Sequence, residues 1–153
     1  MIKHIRGDIS KMDADIIVNS ADTKLNHSNG GISKVIAEAA GYLLVAESEA
    51  LAHVPIGEIG MTRAGNLKAK NVYHIPTIDL EQGTTISYED LGAVWRRALT
   101  WCKANQFESI ATPLLGSDCG LDPIRIKEIL VEVGSEYQFD NLEIIIVEHE
   151  EAE

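Results

Sequence analysis

Two short segments hold most of the side chains in this 153-residue chain that could do chemistry. The first runs from Asn19-Ser20-Ala21-Asp22 through His27-Ser28-Asn29-Gly30-Gly31-Ile32-Ser33. The second is Gly116-Ser117-Asp118-Cys119-Gly120-Leu121-Asp122. Glycines just before a helix let backbone N–H groups point at an anion, and the helix N-terminus adds favourable potential. Two such turns could grip a diphosphate from opposite sides. Neither matches GxxxxGK[ST], and no GxGxxG occurs, so a nucleoside triphosphatase or dehydrogenase has little support. Asp22 is a candidate catalytic carboxylate, since hydrolysis needs a base or a positioned water. Asp22 could orient water. Asp122, directly ahead of Pro123, reads first as a helix N-cap. Cys119 beside a helix start could have a lowered pKa, but no histidine is clearly its partner. His27 reads as a solvated loop histidine and His74 as a satisfied core histidine. Asp8, after Gly7, reads as turn-stabilising, and Asn19 could bond backbone at a strand end.

The elements that must position these residues follow from periodicity. Strand-like runs are 2–6, 15–19, 59–64, 71–76, 109–115 and 142–148. Ile32, Val35, Ile36, Ala39 and Ala40 repeat on one helix face, and helix-like runs cover 32–40, 43–53, 88–105 and 123–137. The third carries the stripe Leu91, Val94, Trp95, Ala98, Leu99, Cys102. Ile144-Ile145-Ile146-Val147 is apolar throughout, as in a strand covered on both faces. Alternating strands and helices give an α/β class: a mixed, largely parallel central sheet with helices on both sides. In such sheets ligands sit at the carboxyl ends of strands, which points to both segments.

Composition bounds the rest. Hydrophobic residues make up 45% and charged residues 24%, as in a globular domain. One domain over residues 1–148 and a short acidic tail over 149–153 are expected. The 24 acidic against 13 basic residues give a net charge of −11, which disfavours sequence-independent nucleic-acid binding. Cys102 and Cys119 have no metal-ligand spacing, so no structural metal is expected. Nothing at the N-terminus resembles a signal peptide, and no apolar run is long enough to span a membrane. A cytoplasmic protein with free thiols fits.

Five motifs in order resemble the macro domain family of ADP-ribose-binding proteins, over nearly the whole chain. They are Gly7-Asp8-Ile9; Val18-Asn19-Ser20-Ala21-Asp22; Gly30-Gly31 with Ala39-Ala40-Gly41; Gly65-Asn66-Leu67 through Val72-Tyr73-His74; and Ser109-Ile110-Ala111-Thr112-Pro113 leading to Gly116–Gly120. The resemblance implies a three-layer α/β/α sandwich. It implies that Asp8 accepts from the adenine amino group and that Ile9 bonds adenine through its backbone. Gly30, Gly31 and Ile32 would line the diphosphate and distal ribose. Gly116, Ser117, Asp118, Cys119 and Gly120 would form the second phosphate loop. Asn19, Asp22 and Ser33 complete the expected contacts. The expected partner is ADP-ribose, or an ADP-ribosylated protein or small molecule, with no cofactor.

The resemblance also implies alternatives: a metal-independent ADP-ribosyl hydrolase or O-acetyl-ADP-ribose deacetylase, or a degenerate interaction module. The best-known hydrolase branch has Asn where this chain has Asp22 and Asp where it has Ser33. Ser28-Asn29 stand where glycines are common, and the second loop lacks its frequent aromatic residue. Gly120-Leu121-Asp122 matches another hydrolase branch in which the Asp is catalytic, but no Lys here aligns with that branch's Lys.

Overall fold

The computed structural model describes residues 1–29, 31–51 and 53–149. Within these residues seven strands form one sheet: β1 (Ile2–Gly7), β2 (Ile16–Asp22), β3 (Gly60–Arg63), β4 (Asn71–Asp79), β5 (Thr84–Thr85), β6 (Ser109–Pro113) and β7 (Glu143–His149). The order is β1-β7-β6-β2-β4-β3, with β5 also on β4. All pairings are parallel except those of β3 and β5 with β4. Among the described residues four α-helices cover it: α1 (Gly31–Ala40), α2 (Tyr42–Leu51), α3 (Tyr88–Ala104) and α4 (Pro123–Gly134).

Side-chain alternation on the central strands builds two cores. Ile16, Val18, Ile110, Ile144 and Ile146 pack with the α3 and α4 stripes. Ile17, Ala111, Ile145 and Val147 pack with Ile36, Ala37 and Ala40 of α1 and Leu44 of α2. The result is the expected three-layer sandwich. Trp95, fully buried, donates from Nε1 to the Leu130 carbonyl at 3.1 Å and so joins α3 to α4.

One boundary differs in a way that matters for the site. The expected strand ended at Asn19, but β2 runs to Asp22 with every residue buried. β4 accompanies it, pairing Asn19 with His74 and Ala21 with Pro76, and the register shifts between Ala21 and Asp22. Pairing with a long neighbour keeps this polar stretch extended where its composition reads as loop. β7 likewise reaches His149, which pairs with Gly7 of β1. Residues 150–153 of the expected tail lie outside the described residues.

Candidate functional site

The carboxyl ends of β2, β6 and β7 line a cleft of about 830 Å³. Ser20 of β2, Lys34 and Glu38 of α1, Ser117 and Asp118 of the second turn, and Glu148 of β7 line it. Val147 and His149 extend the lining toward Gly7, next to Asp8.

The first turn enters α1 through Gly31, at φ +64°. A Cβ built there would lie 3.2 Å from Oδ2 of Asp118, so the two turns meet across the cleft. Gly30 lies outside the described residues. The second turn is a short 3₁₀ segment, Ser117–Cys119, bracketed by Gly116 at φ +84° and Gly120 at φ +92°. The positive φ favours glycine at 116, and a Cβ there would come within 2.6 Å of Leu121 Cδ1, so the leucine side chain would have to shift. Ser20 Oγ accepts from Gly116 N at 3.4 Å and contacts Thr77 Oγ1 at 3.3 Å, tying the second turn to β2 and β4.

Asp8 caps the 3₁₀ turn Ile9–Lys11; its Oδ1 accepts from Ser10 N at 2.9 Å and from Ser10 Oγ at 2.6 Å. Ile9 is buried against the α1 side of the sheet. The buried Asp22 uses Oδ1 to accept from Lys24 N at 2.9 Å and Asn26 N at 3.2 Å, which folds the chain back after β2. Asp122 is exposed and caps α4 by accepting from Ile124 N at 3.0 Å; among the described residues no Lys donates to it. Its backbone N–H donates to Tyr88 Oη at 3.1 Å.

Two expectations are corrected. Burial raises the Cys119 thiol above its ordinary pKa instead of lowering it, and its nearest polar partner is Thr77 Oγ1 at 3.5 Å. His27 is a buried side chain, not a solvated one. Its Nδ1 lies 2.8 Å from Ser33 Oγ and its Nε2 3.0 Å from Ser48 Oγ. Burial pushes its imidazole below the ordinary range, against the opposing Ser33 backbone and Asp22 charge.

The hydrogens in this cluster can be assigned from the contacts. Ser48 Oγ donates to the Leu44 carbonyl at 2.8 Å, so it accepts from Nε2–H of His27. With a neutral ring, Nδ1 is then the acceptor and the Ser33 hydroxyl donates to it. Asn19 Nδ2 donates to Ser33 Oγ at 3.3 Å and to His74 Nδ1 at 3.0 Å. His74 Nε2–H therefore donates to Thr62 Oγ1 at 2.9 Å. His74 is fully buried, as expected, and burial lowers its pKa to about 3. Six polar side chains from β2, β3, β4, the first turn, α1 and α2 are thus joined beneath the cleft. No group of three or more His, Cys, Asp or Glu among the described residues could hold a metal.

A family model described as Macro domain matches residues 18–128, the stretch holding both turns. The chain belongs to the macro domain family. A protein of Sulfurisphaera tokodaii is 33% identical, with 96% of this chain and 82% of that protein covered. A macro domain-containing protein of Lactiplantibacillus plantarum is 34% identical over 82% of this chain and 72% of its own length. The Oceanobacillus iheyensis macrodomain solved with ADP is 25% identical and superposes with a TM-score of 0.81, covering 96% of this chain and 83% of that one.

This macro domain departs from a simple anion trap in its charge. The cleft offers the Lys34 cation against the carboxylates Glu38, Asp118 and Glu148. Glu148 is drawn to Arg6 at 3.6 Å and Lys127 at 3.8 Å, which leaves Asp118 as the carboxylate beside the glycines. Sequence reasoning missed Ser20, Lys34, Glu38 and Glu148. The signal for Glu148 was present: it closes the expected strand-like run 142–148, at the carboxyl end where ligands sit.

Proposed function

We propose that this macro domain binds ADP-ribose or a mono-ADP-ribosyl group in the cleft between its two turns. The observation that carries the reading is the meeting of Gly31 and Asp118 across the carboxyl edge of the sheet. Backbone N–H groups of the two turns supply the dipoles that hold the diphosphate. Asp8 and Ile9 take adenine at the β1 end, and Asp22, beside the first turn, takes hydroxyls of the distal ribose. Asn19 supports the site from below, because both hydrogens of its amide serve Ser33 and His74. Binding rests on backbone groups and not on cations, which is how an acidic chain accommodates a diphosphate. Among the described residues no helix is long and apolar enough to cross a membrane, and the two free cysteines suit a cytoplasmic setting.

Calorimetric titration with ADP-ribose, with AMP as the control, tests this. Micromolar binding of ADP-ribose with AMP far weaker is expected. Equal affinity for the two would remove the second phosphate and distal ribose from the reading.

A further inference from the structure

We propose that the side chains joined beneath the cleft form a proton relay: charging His27 reverses each hydrogen bond from Ser33 to Thr62, turns over the Asn19 amide, and so couples a proton to ligand binding. The coupling rests on the ligand proposed above; the relay itself does not.

The neutral network runs one way. The Ser33 hydroxyl donates to His27 Nδ1, Asn19 Nδ2 donates to Ser33 Oγ and to His74 Nδ1, and His74 Nε2–H donates to Thr62 Oγ1. A proton added to His27 from solvent lands on Nδ1, because Nε2 already carries its hydrogen toward Ser48. Nδ1–H then faces Ser33 Oγ across 2.8 Å, and the hydroxyl hydrogen must leave that line. Among the described residues, Asn19 Oδ1 is a buried acceptor without a partner, on the amide that already touches Ser33. Half a turn of that amide puts Oδ1 where Nδ2 stood, facing Ser33 and His74 alike. Oδ1 then accepts from the Ser33 hydroxyl. His74 must now donate from Nδ1, so a hydrogen leaves its Nε2 and one is gained at Nδ1. Thr62 Oγ1, no longer an acceptor, donates to Nε2. Each contact keeps its two atoms and exchanges donor for acceptor. The net gain is one proton, held on His27.

The placement of the two rings makes His27 the input. It lines a groove with Lys24, Asn26, Ser28, Lys34 and Glu49, whereas His74 is fully buried. Burial and the nearby His27 hold the His74 pKa down to about 3, so His74 changes tautomer and not charge. The titratable and charged groups facing His27 are His74 on β4, its ring 5.6 Å away, Asp22 on β2, Lys24 in the turn, Lys34 and Glu38 on α1, and Glu49 on α2. Asp22 favours the charged ring and burial opposes it.

The output is the cleft. Ser33 stands in the first turn of α1, and Gly31, Ile32 and Lys34 beside it line the cleft. A charged His27 adds a cation behind the helix start that the diphosphate faces, and so strengthens the positive potential there. ADP-ribose therefore binds the charged form more tightly, and by linkage it raises the His27 pKa.

The test is a set of ¹H–¹⁵N spectra of the histidine rings in labelled protein, from about pH 8 to about pH 5, across the ordinary histidine range. As His27 titrates, the His74 ring is expected to pass from its Nε2–H to its Nδ1–H tautomer with the same midpoint, without becoming charged. Ser33→Ala cuts the relay and should leave His74 in the Nε2–H form while His27 still titrates. A parent His74 that stays Nε2–H, or that changes at a different midpoint, overturns the relay. Calorimetry with ADP-ribose on either side of the His27 midpoint reads the coupling. Affinity about fivefold higher on the acid side is expected, at the low end of ordinary coupling between sites, and the difference should vanish in His27→Gln. Equal affinity on both sides, or a parent difference retained in His27→Gln, overturns the coupling and leaves the ADP-ribose reading intact. A His74 tautomer that follows His27 in protein that binds no ADP-ribose upholds the relay and removes the ligand reading.

Discussion

The Ser33 hydroxyl lies 2.8 Å from Nδ1 of His27, and this contact ties α1 to the turn that precedes it. Replacing His27 by Ala leaves the hydroxyl of Ser33 without its acceptor and that of Ser48 without its donor, inside the protein. An unsatisfied buried polar group costs about 1–3 kcal/mol. A fall in the urea midpoint matching about that loss is expected, with an unchanged slope. A midpoint equal to that of the parent would mean that the network adds nothing to stability.

The same network sets a pH dependence. His27 and His74 both have folded pKa values below the unfolded value near 6.5, His74 down to about 3. The unfolded chain therefore binds protons first. Stability is full above about pH 6.5 and declines as pH falls toward the folded values. Each unit of pH in that window costs up to about 1.4 kcal/mol per histidine. Urea midpoints between pH 7.5 and 5.5 should fall with acidification, and His74→Gln should flatten the slope. A parent slope retained in that variant would assign the dependence elsewhere.

Asp118 faces Gly31 with its carboxylate at the place proposed for the diphosphate. Two like charges about 4 Å apart at an effective dielectric near 20 repel by roughly 4 kcal/mol before screening. Part of that is lost to solvent, since Asp118 is exposed. Asp118→Asn should tighten ADP-ribose binding by roughly three- to tenfold, about 0.7–1.4 kcal/mol, with a smaller gain at high salt. Weaker binding by calorimetry would show that the carboxylate contacts ligand hydroxyls instead.

Gly116 sits at φ +84°, with Leu121 Cδ1 2.6 Å from where a Cβ would stand. Gly116→Ala should cost about 1–3 kcal/mol from backbone strain and clash, and should weaken ligand binding by displacing the second turn. Thermal melting and calorimetry together check this. Gly83, at φ +66° with open space around it, is the comparison site: Gly83→Ala should lose stability but not affinity.

The sequence made the fold legible because the strands alternate cleanly between two cores. Ile16 and Ile17 face opposite helix layers, and the Leu91–Cys102 stripe could belong only to a helix packed on the sheet. Both turns were legible from glycines placed ahead of helix starts. The N-cap at Asp122 was legible because Pro follows it. The histidine network was not. His27 reads as polar loop, and nothing local reveals that Ser48, 21 residues later, closes over it. The run to Asp22 was misread for the same reason: its extended form comes from β4, more than 50 residues away in the chain.

The most direct test is an ¹⁵N–¹H spectrum of the protein titrated with ADP-ribose. Shifts concentrated on the amides of residues 7–9, 30–34 and 116–120 are expected, saturating at micromolar ligand. Saturating shifts confined to other surfaces, or none at millimolar ligand, would contradict a diphosphate held between the two turns.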